Sequence, residues 1–520
     1  MCEVIYGNMN TLNRMRLYLI GAVSLILGLL FVILFYNQEI GLNYSLFMAA
    51  VALAGLWLAR SFSRKIGLEQ YAIVAAGMFF ASMVFVRSSE LLTVLNVLGS
   101  VFLLLTGVKL FAGGSLRMFS PFDYIKVPTL PFSFIGPFFE TFSEIVALKK
   151  LPGDTAKTRE IVRGSFMAIV ALLIFAWLFS SADAGFAKLL SNIFSVEIDQ
   201  GLINRTFLAA FISAFFVGAF AFMFVRSHTS PASSEENVRH LGGLETTILL
   251  VSINALFTAF IILQISYLFG GASHIIAEGL TYSEYAREGF FQLVIVALLS
   301  FFIIGFAERQ VVQKDGGHLR SFKILCGTLV FLVIVILVSA FTRLSLYENA
   351  YGFTVIRLFS HAFMVWLGIM LSLLAFHIWK NGKPSELAFQ TFCSAVIFLF
   401  MMNAINPDVF IAKQNLERYR STGLIDAQYL GSLSDDALPH TFHLLNDPKE
   451  DVSRSFARGL YWGEHERRNF CKGEACQETS NNTWQSNRLN YSKAEKLLAP
   501  VRAQLEENKS WTEPTPDRMR

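Results

Sequence analysis

Long apolar blocks alternate with short polar loops along the chain, and this pattern predicts the architecture. Most blocks are about 18–22 residues long, the length that a helix needs to cross a hydrocarbon core of roughly 30 Å. They run Leu17–Tyr36, Leu42–Ala59, Tyr71–Val86, Leu91–Phe111, Ile161–Phe179, Thr206–Val225, Thr246–Phe269, Gly289–Phe306, Phe322–Phe341, Gly352–Trp379 and Leu387–Ile405. The blocks are continuous rather than alternating, which excludes membrane strands. We predict an all-α fold, a polytopic transmembrane helix bundle of about eleven spans over residues 1–406.

Composition supports a membrane protein. Of the 520 residues, 54% are hydrophobic and only 16% are charged, whereas soluble proteins have about 25% charged residues. A soluble chain this apolar would lack the polar surface that keeps a protein in solution. The net charge of +4 is small, and the basic residues lie in short loops beside apolar blocks. We therefore expect the lipid bilayer as a partner and no nucleic acid.

Lysine and arginine are distributed unevenly between the two sets of loops. With the N-terminus inside, the inner loops hold about nineteen of them, as the positive-inside rule requires. The outer loops hold only Arg87, Lys188, Arg205, Arg287 and Arg343. An odd number of spans then places residues 407–520 outside, as an extracytoplasmic tail of small helices. We expect the last residues of this tail to be disordered.

Two loops are more than simple connections. The inner loop 113–160 mixes prolines with phenylalanines, so it is too apolar for a solvated linker and too rich in proline for a regular span. An interfacial segment and a re-entrant segment both remain open for it. In the outer loop, apolar residues within 182–195 recur at helical spacing. They predict a short helix that lies flat at the outer interface.

Chemical motifs are scarce. The sequence contains no G-x-x-x-x-G-K-[ST] loop, G-x-S-x-G elbow, H-E-x-x-H or paired C-x-x-C, so we predict no cofactor and no metal. Cys471 and Cys476 lie in the tail, which would face an oxidising compartment. They form either a disulfide across a small loop or two unrelated thiols.

Polar residues near the outer ends of the late spans form a candidate substrate site. In the outer loop 270–288, Thr281 and Glu284 have the spacing of a capping box that starts span eight. The candidate residues are Tyr282, Glu284, Tyr285 and Arg287 from this loop, Arg357 and His361 from span ten, and Asn406 and Asp408 after span eleven. Simpler explanations are an aromatic belt, local ion pairs and snorkelling. If these helices are neighbours, the residues border one outward-facing cavity.

Three stretches resemble a bacterial multi-pass membrane family defined as a domain of unknown function, the 4153/4173 group. They are 178–187 (LFSSADAGFA), 279–293 (GLTYSEYAREGFFQL) and 406–419 (NPDVFIAKQNLERY). The resemblance implies many spans in the bacterial cytoplasmic membrane and no established activity. Where the family has a second basic residue and an acidic one, this chain has Glu288 and Gln292. The resemblance therefore does not support a charge-based role for this turn.

Three functional classes fit the pattern. A transporter or flippase for a small or lipid-linked substrate ranks first, because polar groups within a multi-span bundle mark substrate paths. The alternative is an envelope sensor or assembly partner that binds a protein through its outer tail, 407–520, or through the inner loop 113–160. A membrane enzyme ranks third, since it requires an acid/base pair within hydrogen-bond reach, such as Glu284 with His361.

Overall fold

The computed structural model describes residues 2–146, 179, 200–225, 243–269, 290–310, 316–469 and 484–507. All regular secondary structure within these ranges is helical, as the sequence predicts. Several predicted features lie outside the described residues: the interfacial helix 182–195, the outer loop 270–288, the pair Cys471 and Cys476, and the block Ile161–Phe179 except Phe179 itself.

The helices follow the apolar blocks. The first half contains α1 (Cys2–Phe35), α2 (Leu42–Ser61), α3 (Leu68–Val86), α4 (Glu90–Phe111), α5 (Pro121–Ile125), α6 (Leu130–Ser133), α7 (Ile135–Val146) and α8 (Gln200–Phe224). The second half contains α9 (Gly243–Phe269), α10 (Phe290–Gln310), α11 (Gly316–Tyr351), α12 (Val355–Lys380) and α13 (Pro384–Ile405). The tail contains α14 (Pro407–Thr422), α15 (Ala427–Ser432), α16 (Leu438–Thr441), α17 (Glu450–Asn469) and α18 (Leu489–Glu507).

Nine helices in the described part of the chain are long and apolar enough to cross a membrane. They are α1 to α4, α8, α9 and α11 to α13. A shorter apolar stretch, Gln292–Glu308, lies in α10. The protein is therefore a multi-pass, membrane-type helical protein whose spans contact lipid. The ninth predicted block, Phe322–Phe341, is shorter than the helix that contains it, because α11 continues past Phe341 to Tyr351.

An N-terminal bundle is formed by α1 to α4, α7 and α8. Aromatic side chains fill much of its core. The Phe47 ring of α2 packs edge-on against Phe31 of α1 at 5.2 Å and against Phe216 of α8 at 6.0 Å between centroids. Such edge-to-face pairs stabilise the core beyond the free energy gained by burying the apolar rings.

The inner segment after α4 packs against this bundle. Phe134, at the end of α6, is buried and lies edge-on to Phe215 of α8, with 5.6 Å between centroids. Gly218 of α8 permits this approach, because a Cβ there would lie 2.5 Å from the Phe134 carbonyl oxygen. The described part of loop 113–160 is therefore built of short helices packed on the spans.

A C-terminal bundle is formed by α9 to α12 around a separate apolar core, which includes Leu329 and Val333 of α11 and Leu367 and Leu371 of α12. Helix α13 connects the two bundles, because it packs against both α12 and α4. It begins with a proline at its first turn, where the missing N–H is tolerated.

The tail lies across one end of both bundles, the end formed by the turns 36–41, 87–89 and 352–354. Backbone groups in those turns, or directly after them, bond to the tail. The Leu42 N–H donates to the Asn487 carbonyl at 3.0 Å, and the Phe353 N–H donates to Asn415 Oδ1 at 2.8 Å. The end of the membrane bundle is thus completed by the chain's own C-terminal helices. We refer to it as the tail end.

Candidate functional site

Arg357 and His361 lie one turn apart on α12, at the tail end of the C-terminal bundle. The Arg357 guanidinium lies 3.8 Å from the centre of the Tyr347 ring and donates to the Gly352 carbonyl at 2.6 Å. This arginine therefore closes the turn between α11 and α12. Its cation–π contact and hydrogen bond account for the charge without a ligand.

His361 contacts the carboxylate of Glu348, a residue outside the predicted spans. Its Nδ1 lies 3.1 Å from Oε2 of Glu348 on α11. Its Nε2 lies 3.3 Å from Ser345 Oγ and 3.3 Å from the Phe341 carbonyl oxygen. The Glu348 side chain is only 5% exposed. The apolar pattern ends the ninth block at Phe341 and predicts a loop at Glu348, whereas the structure has this residue within α11.

Asn406 and Asp408 lie at the junction between α13 and the tail. Asn406 has a positive φ of 52° and turns the chain from α13 into α14, a conformation that asparagine tolerates better than most residues. Asp408 is 2% exposed and accepts a hydrogen bond from the Ser434 hydroxyl. Burial raises the pKa of the Asp408 carboxyl above its ordinary value, because the charged form loses its hydration.

A second buried carboxylate adjoins this junction. Asp436 Oδ1 accepts from the Ser88 N–H at 2.9 Å and from Asn490 Nδ2 at 2.9 Å. Its Oδ2 lies 3.9 Å from Nη1 of Arg87, and Arg87 also donates to the Asn403 carbonyl at 2.6 Å. These contacts join the α3–α4 turn, α13 and two parts of the tail.

The predicted residues on α12 and those at the α13–tail junction lie near each other, on either side of Tyr429. Tyr429 of α15 accepts the Val355 N–H at 2.9 Å, at the start of α12. Burial raises the pKa of Tyr429 to about 12, and the charges of both Asp408 and Arg357 act on it. Tyr282, Glu284, Tyr285 and Arg287 lie outside the described residues. The four candidates that are described thus lie at the tail end, under or beside tail helices.

An apolar cavity lies elsewhere, within the N-terminal bundle. Its volume is about 440 Å³, within the range of ligand sites in proteins. It is lined by α1, α2, α3, α4 and α8 together with Pro131 and Phe134 of the inner segment. The lining is almost wholly apolar. Along α4 it runs from Ser100 to Phe111, about 16 Å at the helical rise of 1.5 Å per residue.

Three glycines contribute to this space. A Cβ added to Gly55 would meet no atom within 4 Å. One added to Gly107 would meet a side-chain carbon at 3.6 Å, and one added to Gly77 would meet a side-chain carbon at 3.6 Å and the Ser100 carbonyl oxygen at 3.9 Å, which are ordinary contacts. All three residues line the cavity. Since each comes from a different helix, the cavity is a property of packing that no single apolar block reveals.

One polar contact interrupts the apolar wall. Tyr44 of α2 and Ser100 of α4 join through their hydroxyls at 2.7 Å, and both line the cavity. Tyr44 is near the start of α2, so this contact lies toward the tail end. Ile40, which also lines the cavity, is in the α1–α2 turn and is 41% exposed. The cavity therefore reaches the level at which the bundle meets the tail end.

Metal ligation is not indicated in the part of the chain that the structure describes. Within those residues, no three His, Cys, Asp or Glu side chains are grouped so that they could hold a metal ion. The cysteines found free there, Cys326 and Cys393, lie in α11 and α13.

Comparison with known proteins gives one match. The model of a family described as "Domain of unknown function (DUF4153)" matches residues 72–442, well over half of the chain. Neither the curated proteins nor the solved structures contain a match. The matched range begins in α3 and ends in the tail, so it includes most of the cavity lining and the junction at Asp408.

Proposed function

The chain belongs to the family described as a domain of unknown function (DUF4153), and from the geometry we propose that it moves a lipid-type substrate across the membrane, as a transporter or flippase. The observation that carries this proposal is the apolar cavity in the N-terminal bundle. In a bacterial cell the protein would act in the cytoplasmic membrane, with the tail end outside.

The chemistry of the lining selects the substrate class. Phe31, Phe35, Met48, Val51 and Phe216 are typical of the wall, and such a surface gains nothing from a charged or strongly polar solute. A hydrocarbon chain gains about 0.8 kcal/mol for each CH₂ that leaves water. A chain already in the bilayer has no such gain, so entry from the membrane is close to neutral in free energy. A transfer free energy close to zero suits a substrate that must both enter the cavity and leave it.

The depth of the cavity suits transfer between leaflets. The lining extends from Ile40 in the α1–α2 turn to Phe111, the last residue of α4. A substrate chain held there lies parallel to the helices, as lipid chains do in the bilayer. The Tyr44–Ser100 hydroxyl pair offers a polar contact for a headgroup or linker near the tail end.

The test uses purified full-length protein in vesicles that contain a fluorescent phospholipid. Movement is scored by dye bleaching from outside. Gly55→Phe should lower the protein-dependent rate at least tenfold, because the added ring enters open cavity space. Gly327→Phe is the matched control, since Gly327 also has nothing within 4 Å of its Cβ position but lies on an exposed face of α11.

The outcomes separate the alternatives. Equal rates for Gly55→Phe and the parent protein would contradict a path through this cavity. No protein-dependent movement of any tested lipid, with the fold intact, would contradict transport and favour the sensor alternative. Because the tail is bonded to the turns of both bundles, a tail-mediated signal would then have a direct route into the spans.

A further inference from the structure

We infer that the inner segment, residues 116–135, lies in the membrane interface and binds anionic lipid headgroups at the end of the bundle opposite the tail end. An interfacial position is one of the two alternatives that the sequence leaves open for loop 113–160. The inference goes beyond lipid transport and does not depend on the cavity. It rests on the depth at which the segment is held and on the side chains that it exposes.

Both ends of the inner segment are held close to the ends of the spans. The Leu116 N–H donates at 2.9 Å to Oε2 of Glu69, which lies in the first turn of α3. The backbone of Phe134 packs on Gly218 of α8, six residues before that helix ends at Phe224, or about 9 Å along its axis. Amphipathic segments at an interface are buried by a similar depth of about 5–10 Å.

One face of the inner segment is buried against the spans. The Tyr124 ring stacks on Phe392 of α13 with 5.0 Å between centroids, and the Tyr124 hydroxyl donates to the Leu116 carbonyl at 3.0 Å. The buried residues of the segment are Leu116, Phe119, Tyr124, Val127, Leu130 and Phe134. These contacts fix the orientation of the segment, so the residues between them are turned away from the spans.

The opposite face combines exposed apolar side chains with cations. Arg117 and Lys126 are both exposed on it. Four large apolar residues on this face are more than half exposed, namely Met118 (81%), Ile125 (68%), Phe132 (75%) and Ile135 (54%). Apolar surface grouped in this way marks a site of interaction. Insertion into the boundary between headgroups and acyl chains removes it from water.

The charge of this face is complementary to anionic headgroups. Asp123 is the only acidic residue in the inner segment, and its carboxylate is paired with Lys109 of α4 at 2.7 Å. Arg117 and Lys126 therefore set the charge of the exposed face, and acidic residues return only on α7. Each lysine or arginine near an anionic membrane surface strengthens binding about fivefold.

A neighbouring span shows the same combination of side chains at the same end of the bundle. Phe376 and Trp379, in the last two turns of α12, are more than half exposed. The Lys380 ammonium lies 4.4 Å from the centre of the Phe376 ring. Exposed aromatic rings beside cations are typical of the level at which a span leaves the hydrocarbon. The apolar face of the inner segment extends this belt, which favours lipid over a protein partner.

The experiment measures how deep the segment lies and which lipids surround it. A fluorescent amino acid replaces Thr129, an exposed residue of the segment, in the full-length protein. The protein is placed in phosphatidylcholine nanodiscs that contain a small share of nitroxide-labelled lipid. The nitroxide is attached to one acyl chain, either near the headgroup or near the chain end. The labelled lipid is either phosphatidylglycerol or phosphatidylcholine.

We expect stronger quenching by the nitroxide near the headgroup than by the one near the chain end. Phosphatidylglycerol should quench more than phosphatidylcholine. Arg117→Gln combined with Lys126→Gln should reduce this excess at least fivefold, because both cations are lost. Lys126→Gln alone is the second variant, since Arg117 also lies over the Phe389 ring at 5.9 Å, and it should reduce the excess as well.

A matched control makes the same change of charge on the tail. Lys413 and Arg420 are exposed residues of α14, so Lys413→Gln combined with Arg420→Gln should leave the quenching unchanged.

Three results would overturn the inference. Stronger quenching from the chain end would show a re-entrant segment. Quenching from neither position would place the segment outside the lipid and favour a protein partner. Equal quenching by the two headgroups would contradict the binding of anionic lipid. None of these results depends on lipid movement, so they do not decide the transport proposal.

Discussion

Asn96 of α4 and Asn403 of α13 exchange two side-chain hydrogen bonds, at 2.9 and 2.7 Å. The residues are 307 positions apart in the chain, and both are almost completely buried, with exposures of 0% and 1%. The pair joins the N-terminal bundle to the helix that leads into the tail. Each amide satisfies the other, which leaves neither exposed to hydrocarbon.

Replacing both members of this pair should destabilise the protein by less than the sum of the two single replacements. Asn96→Leu or Asn403→Leu leaves the opposite amide buried without its partner, and we expect a loss of about 1–3 kcal/mol in the free energy of unfolding. The double variant should lose less than the sum of the two single losses, with a coupling of about 0.6 kcal/mol or somewhat more. Reversible unfolding in mixed micelles measures the cycle. Strict additivity would contradict a direct pair.

Arg418 should matter more than its neighbour Arg420. Arg418 donates to the carbonyls of Asn349 and Ala350 near the C-terminus of α11, where cations are favourable. Arg418→Met should therefore cost about 1–2 kcal/mol and speed proteolysis of the tail. Arg420→Met removes only an exposed contact to Glu417 and should change little. Equal effects of the two variants would contradict the contact between tail and bundle.

The buried Asp408 carboxyl gives a pH dependence of known sign. Its folded pKa is raised by burial, so the folded state binds this proton more tightly than the unfolded state does. Stability from this group therefore falls as pH rises above the unfolded value of about 3.9 and through the raised folded pKa. Asp408→Asn should leave stability at neutral pH unchanged or higher, and should weaken the gain seen on acidification.

Asp436→Asn is the contrasting variant for that measurement. The Asp436 carboxylate accepts from the Ser88 N–H and lies beside Arg87, so its loss should destabilise the protein by about 1–3 kcal/mol at neutral pH. Thermal midpoints across pH compare the two substitutions. A large loss for Asp408→Asn, similar to that for Asp436→Asn, would show that Asp408 is stabilising in its charged form.

Two buried glycines should respond oppositely to a small substitution. Gly218→Ala places a Cβ 2.5 Å from the Phe134 carbonyl oxygen, a backbone atom, and should destabilise by about 1–3 kcal/mol through overpacking. Gly55→Ala meets open space and should stabilise or be neutral, since alanine favours the helix by about 1 kcal/mol. Thermal unfolding midpoints of the two variants measure the difference. A lower midpoint for Gly55→Ala than for the parent protein would contradict open space at this position.

The helical spans were predictable because each is a local pattern. A sufficiently long apolar stretch forms a helix in the membrane, because its backbone N–H and C=O groups can find hydrogen-bond partners only within the same segment. The end of α11 was not predictable in this way, because Arg343 and Glu348 are polar yet buried. Glu348 contacts His361 of α12, a partner that the local pattern of α11 does not contain.

The candidate site was only partly accessible to sequence reasoning. His361 was selected as an unusual polar residue in a span, but its partner Glu348 became clear only from the packing of α11 on α12. Many tail contacts use backbone groups, as where the Val355 N–H donates to Tyr429. Such contacts do not depend on the type of residue that supplies the backbone group, so the sequence does not indicate them. The cavity depends on gaps between helices, which single-helix patterns do not encode.

The most direct test of the account is photo-cross-linking with a lipid that carries a diazirine near the end of one acyl chain. The full-length protein is labelled in vesicles, and the modified residues are mapped by mass spectrometry. We expect adducts on cavity residues such as Met48, Val51 and Phe216, and their loss in Gly55→Phe. Adducts confined to outward-facing residues such as Leu53 and Leu98, and unchanged in Gly55→Phe, would contradict a lipid chain in the cavity.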